Sequence, residues 1–272
     1  MIFFGKPKNS EDLLYQGVSF LEKNQPKAAI ALFNQALKAD PKNTSALYNK
    51  GQALNQIRKY QDAITCFDKV LELNPKDAPS LNNRAIALAE LGNTDDAMNY
   101  YDNAIKEDPK YASAYYNKGV LYDKLQQHEE AIKHLDEAIK LEPKKPNSRF
   151  YKGLVFGKLG RHEEALNCFV NICKSHPRHM DAFFHKGIEL AELDKHKQAI
   201  EIFDKLLAKH KNNVNVIYAK SRSKAALEEI EEFLSLLKQA ISQNPKVIKK
   251  WAKHEKIFER FQEDERFKKL VK

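Results

Sequence analysis

Along most of this chain apolar residues recur three and four positions apart, the spacing that gathers them on one face of an α-helix. The stretch from Thr44 to Asp77 shows the pattern in its simplest form. A first amphipathic run, SALYNKGQALNQI, is followed by the polar break Arg58-Lys59-Tyr60 and a second run, QDAITCFDKVLEL. Asn74-Pro75 then stops the second run, because proline has no N–H to donate and biases the residue before it toward extended backbone. The pattern predicts two helices joined by a tight turn. No stretch of comparable length alternates as a half-buried strand would.

The same pair is written repeatedly. Proline returns at Pro41, Pro75, Pro109, Pro143 and Pro177, misses one beat at Lys211, and returns at Pro245. A second series keeps that spacing: Gly17, Gly51, Gly119, Gly153 and Gly187, with Ala85 and Ser221 in the two other slots. Two independent markers locked at one period mean one structural unit copied in tandem. Seven units fit, starting at Ser10, Thr44, Ala78, Ala112, Pro146, Met180 and Val214. They divide the chain into an N-terminal segment 1–9, repeats 10–43, 44–77, 78–111, 112–145, 146–179, 180–213 and 214–247, and a C-terminal capping segment 248–272.

The fixed slots read as packing devices. Glycine in the eighth slot lets the first helix (A) approach the second (B), and offsets a helix-propensity cost of about 1 kcal/mol. Alanine in the twentieth slot does the same from helix B: Ala29, Ala63, Ala97, Ala131, Ala165 and Ala199. The twenty-fourth slot fills the seam with Phe33, Phe67, Tyr101, Leu135, Phe169, Phe203 and Leu237. Two units depart from the pattern. Arg149 takes the usually apolar fourth slot of repeat five, which predicts a shifted or exposed helix start. Repeat seven has Ser221 for glycine and Phe233 for alanine, as terminal units that must meet water often do. Ile248, Trp251, Phe258, Phe261, Phe267 and Leu270 behind it are expected to cover its open face.

These slots resemble the tetratricopeptide repeat family, whose unit is a 34-residue helix–turn–helix. The variant Asn-Lys-Gly at 49–51 and 117–119 is similar to its prokaryotic members. The resemblance implies an all-α fold: a right-handed α-solenoid of about seven tandem repeats with a C-terminal capping helical segment. It also implies that A helices line a concave groove where extended peptides bind, with inward slots at positions two, five, six, nine, twelve and thirteen. The sixth slot carries Asn49, Asn83 and Asn117 in succession. Such a ladder of amides suits a peptide backbone, since each can donate and accept at once; hydrated family consensus explains it equally. The fifth slot carries Tyr48, Tyr116, Phe150, Phe184 and Tyr218, and the ninth adds Leu154, Ile188 and Arg222. Those rings and branched chains form either an exposed apolar strip for a partner or packing between neighbouring helices. In some families of these repeats a two-carboxylate clamp grips acidic C-termini. It needs Lys in slot five and Asn in slot nine of one unit, Asn in slot six of the next, and Lys and Arg in slots two and six of a third. No three successive units supply that set.

Charge adds one asymmetry. The chain carries a net +9, yet residues 1–145 hold as many acidic as basic side chains, so the excess lies behind them. Lys50, Arg84, Lys118, Lys152, Lys186 and Lys220 recur in the seventh slot, next to the buried fourth and eighth. They are expected to lay their stems on the core rather than to form a phosphate track. The inward slots mix both signs, so the groove is no basic channel.

Little points to chemistry. No phosphate-binding glycine loop, nucleophile elbow or HExxH helix occurs. Cys173, His176 and His179 sit three apart but lack an evident fourth ligand. No catalytic residue, metal or cofactor is expected, and the chain is read as a non-enzyme. Cys66, Cys168 and Cys173 offer no disulfide framework, which fits a reducing cytoplasm. The apolar start Ile2-Phe3-Phe4 breaks at Gly5-Lys6, too short for a secretory core, and no run is long enough for membrane insertion. The expected function is a scaffold holding a protein or peptide partner in the groove. The alternatives are a self-associating structural scaffold and polyanion or RNA binding through the basic C-terminal half, with nucleic acid the less favoured partner.

Overall fold

The structure, a computed structural model, describes residues 9–272. Helices account for about four fifths of them. Helix A of the seven successive pairs is α1 (Ser10–Glu22), α3 (Thr44–Gln56), α5 (Ala78–Glu90), α7 (Ala112–Lys124), α9 (Pro146–Lys158), α11 (Met180–Glu192) and α13 (Val214–Ala226). Helix B is α2 (Pro26–Ala39), α4 (Tyr60–Leu73), α6 (Thr94–Glu107), α8 (His128–Leu141), α10 (His162–Ser175), α12 (His196–Lys209) and α14 (Ile230–Gln243). Then come α15 (Pro245–His254), a 3-10 helix (Lys256–Phe261) and α16 (Glu265–Val271). No strand occurs among the described residues. The described residues pack as two compact units that divide between Pro143 and Lys144.

Within each pair the seam is the one the slots predict. Every twentieth-slot alanine is fully buried, and the twenty-fourth-slot residues are fully or almost fully so. Four of the eighth-slot glycines, Gly17, Gly51, Gly153 and Gly187, lie directly against a phenylalanine ring of that slot. A Cβ on Gly51 would lie 2.5 Å from Phe67 Cε1, and one on Gly187 the same distance from Phe203 Cε1. In the first unit α1, α3, α5 and α7 also contact one another in succession, so the A helices form its inner row.

Two helix-ending devices differ from expectation. Proline is dispensable for stopping helix B. Asp40, before Pro41, has φ −137° and ψ 94°, and His210, before Lys211, has nearly the same φ −134° and ψ 76°. Pro245 plays another role: it opens α15, three residues ahead of the expected capping segment, where its missing N–H costs nothing. The A–B turn carries a signal the sequence hides. Its central residue is left-handed in all seven pairs: Asn24, Arg58, Gly92, Gln126, Gly160, Asp194 and Glu228. Each is followed by an N–H that reaches back five residues, as Gln25 does to the Phe20 carbonyl, closing the helix in a Schellman turn. Only two of these positions are glycine, so no periodic glycine announces them.

Three of the seventh-slot cations have partners that spacing alone did not reveal. Arg84 meets Asp68 at 2.5 Å, Lys118 meets Asp102 at 2.5 Å and Lys220 meets Asp204 at 2.6 Å. Each aspartate sits in the twenty-fifth slot of the preceding repeat, so these pairs clip consecutive repeats together. Their stems do cover core, with Lys118 buried and the Arg84 guanidinium 4.0 Å from the centre of the Tyr100 ring. Arg149 is half-buried, and α9 nonetheless starts at Pro146 in the register of the other A helices.

The second unit closes with a core unlike the repeats. Phe233, which replaces the slot-twenty alanine, is fully buried among Phe258 and Phe261, both at 4.8 Å, and Phe267 at 6.0 Å. Ile248 is buried with them, Leu270 is half-buried, and Trp251 stays partly exposed against Tyr218. The anomalous phenylalanine thus anchors the cap.

Candidate functional site

The amides of the sixth slot lie along the inner row of the first unit, half-buried, and each is already engaged. Asn49 donates to the Ser45 carbonyl at 2.8 Å. Asn83 donates both amide hydrogens, to the Tyr48 hydroxyl at 3.1 Å and the Pro79 carbonyl at 2.9 Å. Asn117 donates to Asn82 Oδ1 at 2.9 Å. Two of these bonds join one repeat to the next, so the ladder is part of the joint between repeats. What remains is acceptor capacity: the Oδ1 atoms of Asn49, Asn83 and Asn117 take part in no hydrogen bond among the described residues. Tyr48 also accepts from Gln52 at 3.0 Å, which leaves its own hydroxyl hydrogen to donate. Burial pushes the Tyr48 phenol up to about 12, so it stays protonated at physiological pH. Beside it a shallow hollow of about 240 Å³ is lined by Thr44, Ser45, Tyr48, Asn49, Asp77 and Pro79. Tyr116 is half-buried, and burial raises its phenol as well.

In the second unit the expected apolar strip divides into two kinds of residue. Phe150, Leu154, Phe184 and Ile188 are half-buried, each leaving part of its surface accessible. Their other faces pack: Phe150 stands edge-on to Phe169 at 5.5 Å and stacks on His179 at 5.3 Å, while Phe184 leans on Phe203 at 6.3 Å. His185, in the sixth slot, joins this cluster 5.4 Å from both Phe150 and Phe184. Burial lowers its pKa, so the ring is neutral and behaves as one more aromatic surface. Sequence reasoning gave His185 no role because a lone histidine carries no packing signal.

Tyr218 and Arg222 are drawn elsewhere. Tyr218 is buried under the cap, 5.5 Å from Trp251 and 6.0 Å from Phe258, because a C-terminal segment outside the repeat pattern folds back over it. It therefore does not present its ring to a groove. Arg222 is held by Glu192 at 3.0 Å and by Glu255 at 2.7 Å, the second carboxylate coming from just after α15.

The cysteine–histidine trio is occupied by structural duties. His179 Nδ1 accepts from the Ala182 N–H and caps α11, His176 Nδ1 lies 2.9 Å from Ser175 Oγ, and burial raises the Cys173 thiol. Among the described residues no helix is long and apolar enough to cross a membrane.

Comparison with known proteins agrees with this geometry. A family model described as tetratricopeptide repeat matches residues 14–78 and 82–148, and one described as the N-terminal TPR repeats region of Psidin matches residues 120–223. Among solved structures, a tetratricopeptide repeat protein from Parabacteroides merdae is 25% identical with a TM-score of 0.61, over 89% of this chain and 96% of that one. PilW, a widely conserved type IV pilus biogenesis factor, is 22% identical with a TM-score of 0.68, over 76% of this chain and 96% of its own. YrrB, a TPR protein with an unusual peptide-binding site, is 23% identical with a TM-score of 0.53, over 69% and 97%. No curated protein matches the chain.

Proposed function

The chain belongs to the tetratricopeptide repeat family, and from that premise we propose that it is a non-catalytic scaffold that holds an extended peptide segment of a protein partner. The observation that carries the proposal is the row of unengaged carbonyl oxygens on Asn49, Asn83 and Asn117, with the Tyr48 hydroxyl beside it. Their amide hydrogens are spent on the repeat joints, so the row presents acceptors. An extended peptide supplies matching N–H donors at regular intervals. The second unit, taken by itself, offers Phe150, Leu154, Phe184 and Ile188 to apolar side chains of a partner, with His185 as a neutral neighbour. The fold neighbour with an unusual peptide-binding site lends the fold to this proposal and no residue.

Peptides selected from a random library on the immobilised chain, then titrated by calorimetry, test it. Asn83→Ala with Asn117→Ala should weaken the selected peptides at least tenfold. That double variant also loses two joints between repeats, worth about 1 kcal/mol each, so its melting is followed in parallel. Unchanged affinity in the folded double variant defeats the proposal. Affinity that instead collapses steeply with salt would favour a polyanion partner.

A further inference from the structure

Six buried side-chain polar atoms among the described residues have no hydrogen-bond partner, and four of them cluster where α12, α13 and the C-terminal segment meet. They are His196 Nδ1, Ser223 Oγ, Arg222 Nε and Tyr218 OH. The Arg222 Nε lies close to Glu255 but out of line for a hydrogen bond. The first three of these residues line one cavity of about 350 Å³, walled by the α11–α12 turn, α13 and the 3-10 helix. Arg222 is compensated by its ion pairs, but His196 Nδ1 and Ser223 Oγ have no partner among the described residues, and a buried polar group left so costs about 1–3 kcal/mol.

The preceding repeat shows what this position normally holds. His162 and His196 occupy the same slot, the first residue of helix B. His162 Nδ1 is 2.8 Å from Glu189 Oε2, a carboxylate buried in the tenth slot of the next helix A. The tenth slot that faces His196 is Ser223, fully buried and too short to supply a carboxylate. A neighbouring exchange explains why no glutamate sits there. Gly157 makes room for Glu189, since a Cβ on it would lie 2.9 Å from Oε1. Its counterpart beside Ser223 is Ala191, whose methyl takes up that room and lines the cavity.

We propose that this cavity binds a small carboxylate ligand, whose oxygens take the place at His196 and Ser223 that Glu189 fills at His162. The walls favour a monoanion. Arg222, Lys256 and Arg260 face Glu192, Asp194 and Glu255. Arg222 is already bridged to two of those acids and Arg260 to Glu228. With three acids against three bases the walls carry no net charge, so a single negative charge meets less repulsion there than a doubly charged phosphate would. The carboxylate would accept from the Nδ1–H tautomer of His196 and from the Ser223 hydroxyl. The site is separate from the proposed peptide groove and does not depend on it.

Nitrogen-detected NMR of the histidine rings in the full chain tests the proposal. Sodium acetate should shift the His196 ring saturably, and sodium chloride at equal ionic strength should not. Triglycine and its C-terminal amide distinguish the source. A free acid tenfold tighter than acetate, with an inert amide, identifies a peptide terminus; equal affinity identifies a free small acid. Ser223→Ala should weaken acetate at least fivefold without lowering the melting temperature, because it removes an unsatisfied hydroxyl. Ala191→Gly with Ser223→Glu should abolish the acetate response and move the His196 signals toward those of His162. A non-saturating drift shared by acetate and chloride would leave the cavity to water and overturn the proposal. Unchanged acetate affinity in folded Ser223→Ala would overturn it as well.

Discussion

Gly51→Ala tests whether the eighth-slot glycine exists for the ring opposite it. The new methyl carbon would start 2.5 Å from Phe67 Cε1 and 2.6 Å from Cζ. Carbon atoms in contact prefer about 3.5–4.0 Å, so the ring or the helix must yield by about 1 Å. Overpacking of this kind costs roughly 1–3 kcal/mol. Alanine returns about 1 kcal/mol through helix propensity, which leaves a net loss of about 0–2 kcal/mol. The wild-type chain supplies two calibrations. Opposite Gly119 stands Leu135, and there the nearest approach of an added Cβ relaxes to 3.1 Å. Ala85 coexists with a buried Tyr101, so a methyl is admissible when the helices are built around it. The cost is therefore one of displacement, and leucine should relieve it. Phe67→Leu alone should lose about 1–2 kcal/mol. Once leucine relieves the strain, Gly51→Ala with Phe67→Leu should be more stable than Phe67→Leu alone by up to about 1 kcal/mol, a coupling of roughly 1–3 kcal/mol that exceeds the additivity error of about 0.5 kcal/mol. Stacked repeats can unfold in parts. The fitting assay is urea unfolding by circular dichroism, paired with amide hydrogen exchange at Phe67 and Val70 in α4. Additive effects, or a stabilising Gly51→Ala, would refute the reasoning.

Two further outcomes follow from the turn and from a buried acid. Gln126 is left-handed at φ 62°, a conformation costing a side-chain-bearing residue roughly 1–2 kcal/mol. Gln126→Gly should therefore raise stability by about 0.5–1 kcal/mol in a thermal melt, and Asn24→Gly much less, because asparagine tolerates this region. Burial holds the Glu189 carboxyl above its ordinary range despite its bond to His162, so the folded chain binds that proton more tightly than the unfolded chain. The associated stability is complete in acid, below the unfolded value, and is lost as pH rises through the folded one. Glu189→Gln should accordingly gain on the wild type between pH 4 and pH 7 in urea unfolding, and a constant difference across that window would contradict it.

The helix pairs, their starts and the alanine and aromatic slots of the seam were legible in the sequence. They depend on positions three, four and thirty-four apart, and a residue's periodic place in a helix fixes which way it faces. The seventh-slot cations could be read as half-buried but not as paired. Asp68 and Asp102 become partners of Arg84 and Lys118 only once two repeats stack at a given rotation. The asparagine ladder was visible as a column, yet a column does not say which hydrogens are spent. Tertiary packing committed amide hydrogens of Asn83 and Asn117 to Tyr48, Pro79 and Asn82, and left their oxygens without a partner among the described residues. Tyr218 shows the same limit from the other side. Its slot predicts a groove residue, and an aperiodic cap buries it. The sequence by itself determined the repeat and its seam, because local periodicity dictates them. Tertiary structure decided which inward side chains remain available, and which buried ones lack a partner, because both depend on contacts between segments that share no period.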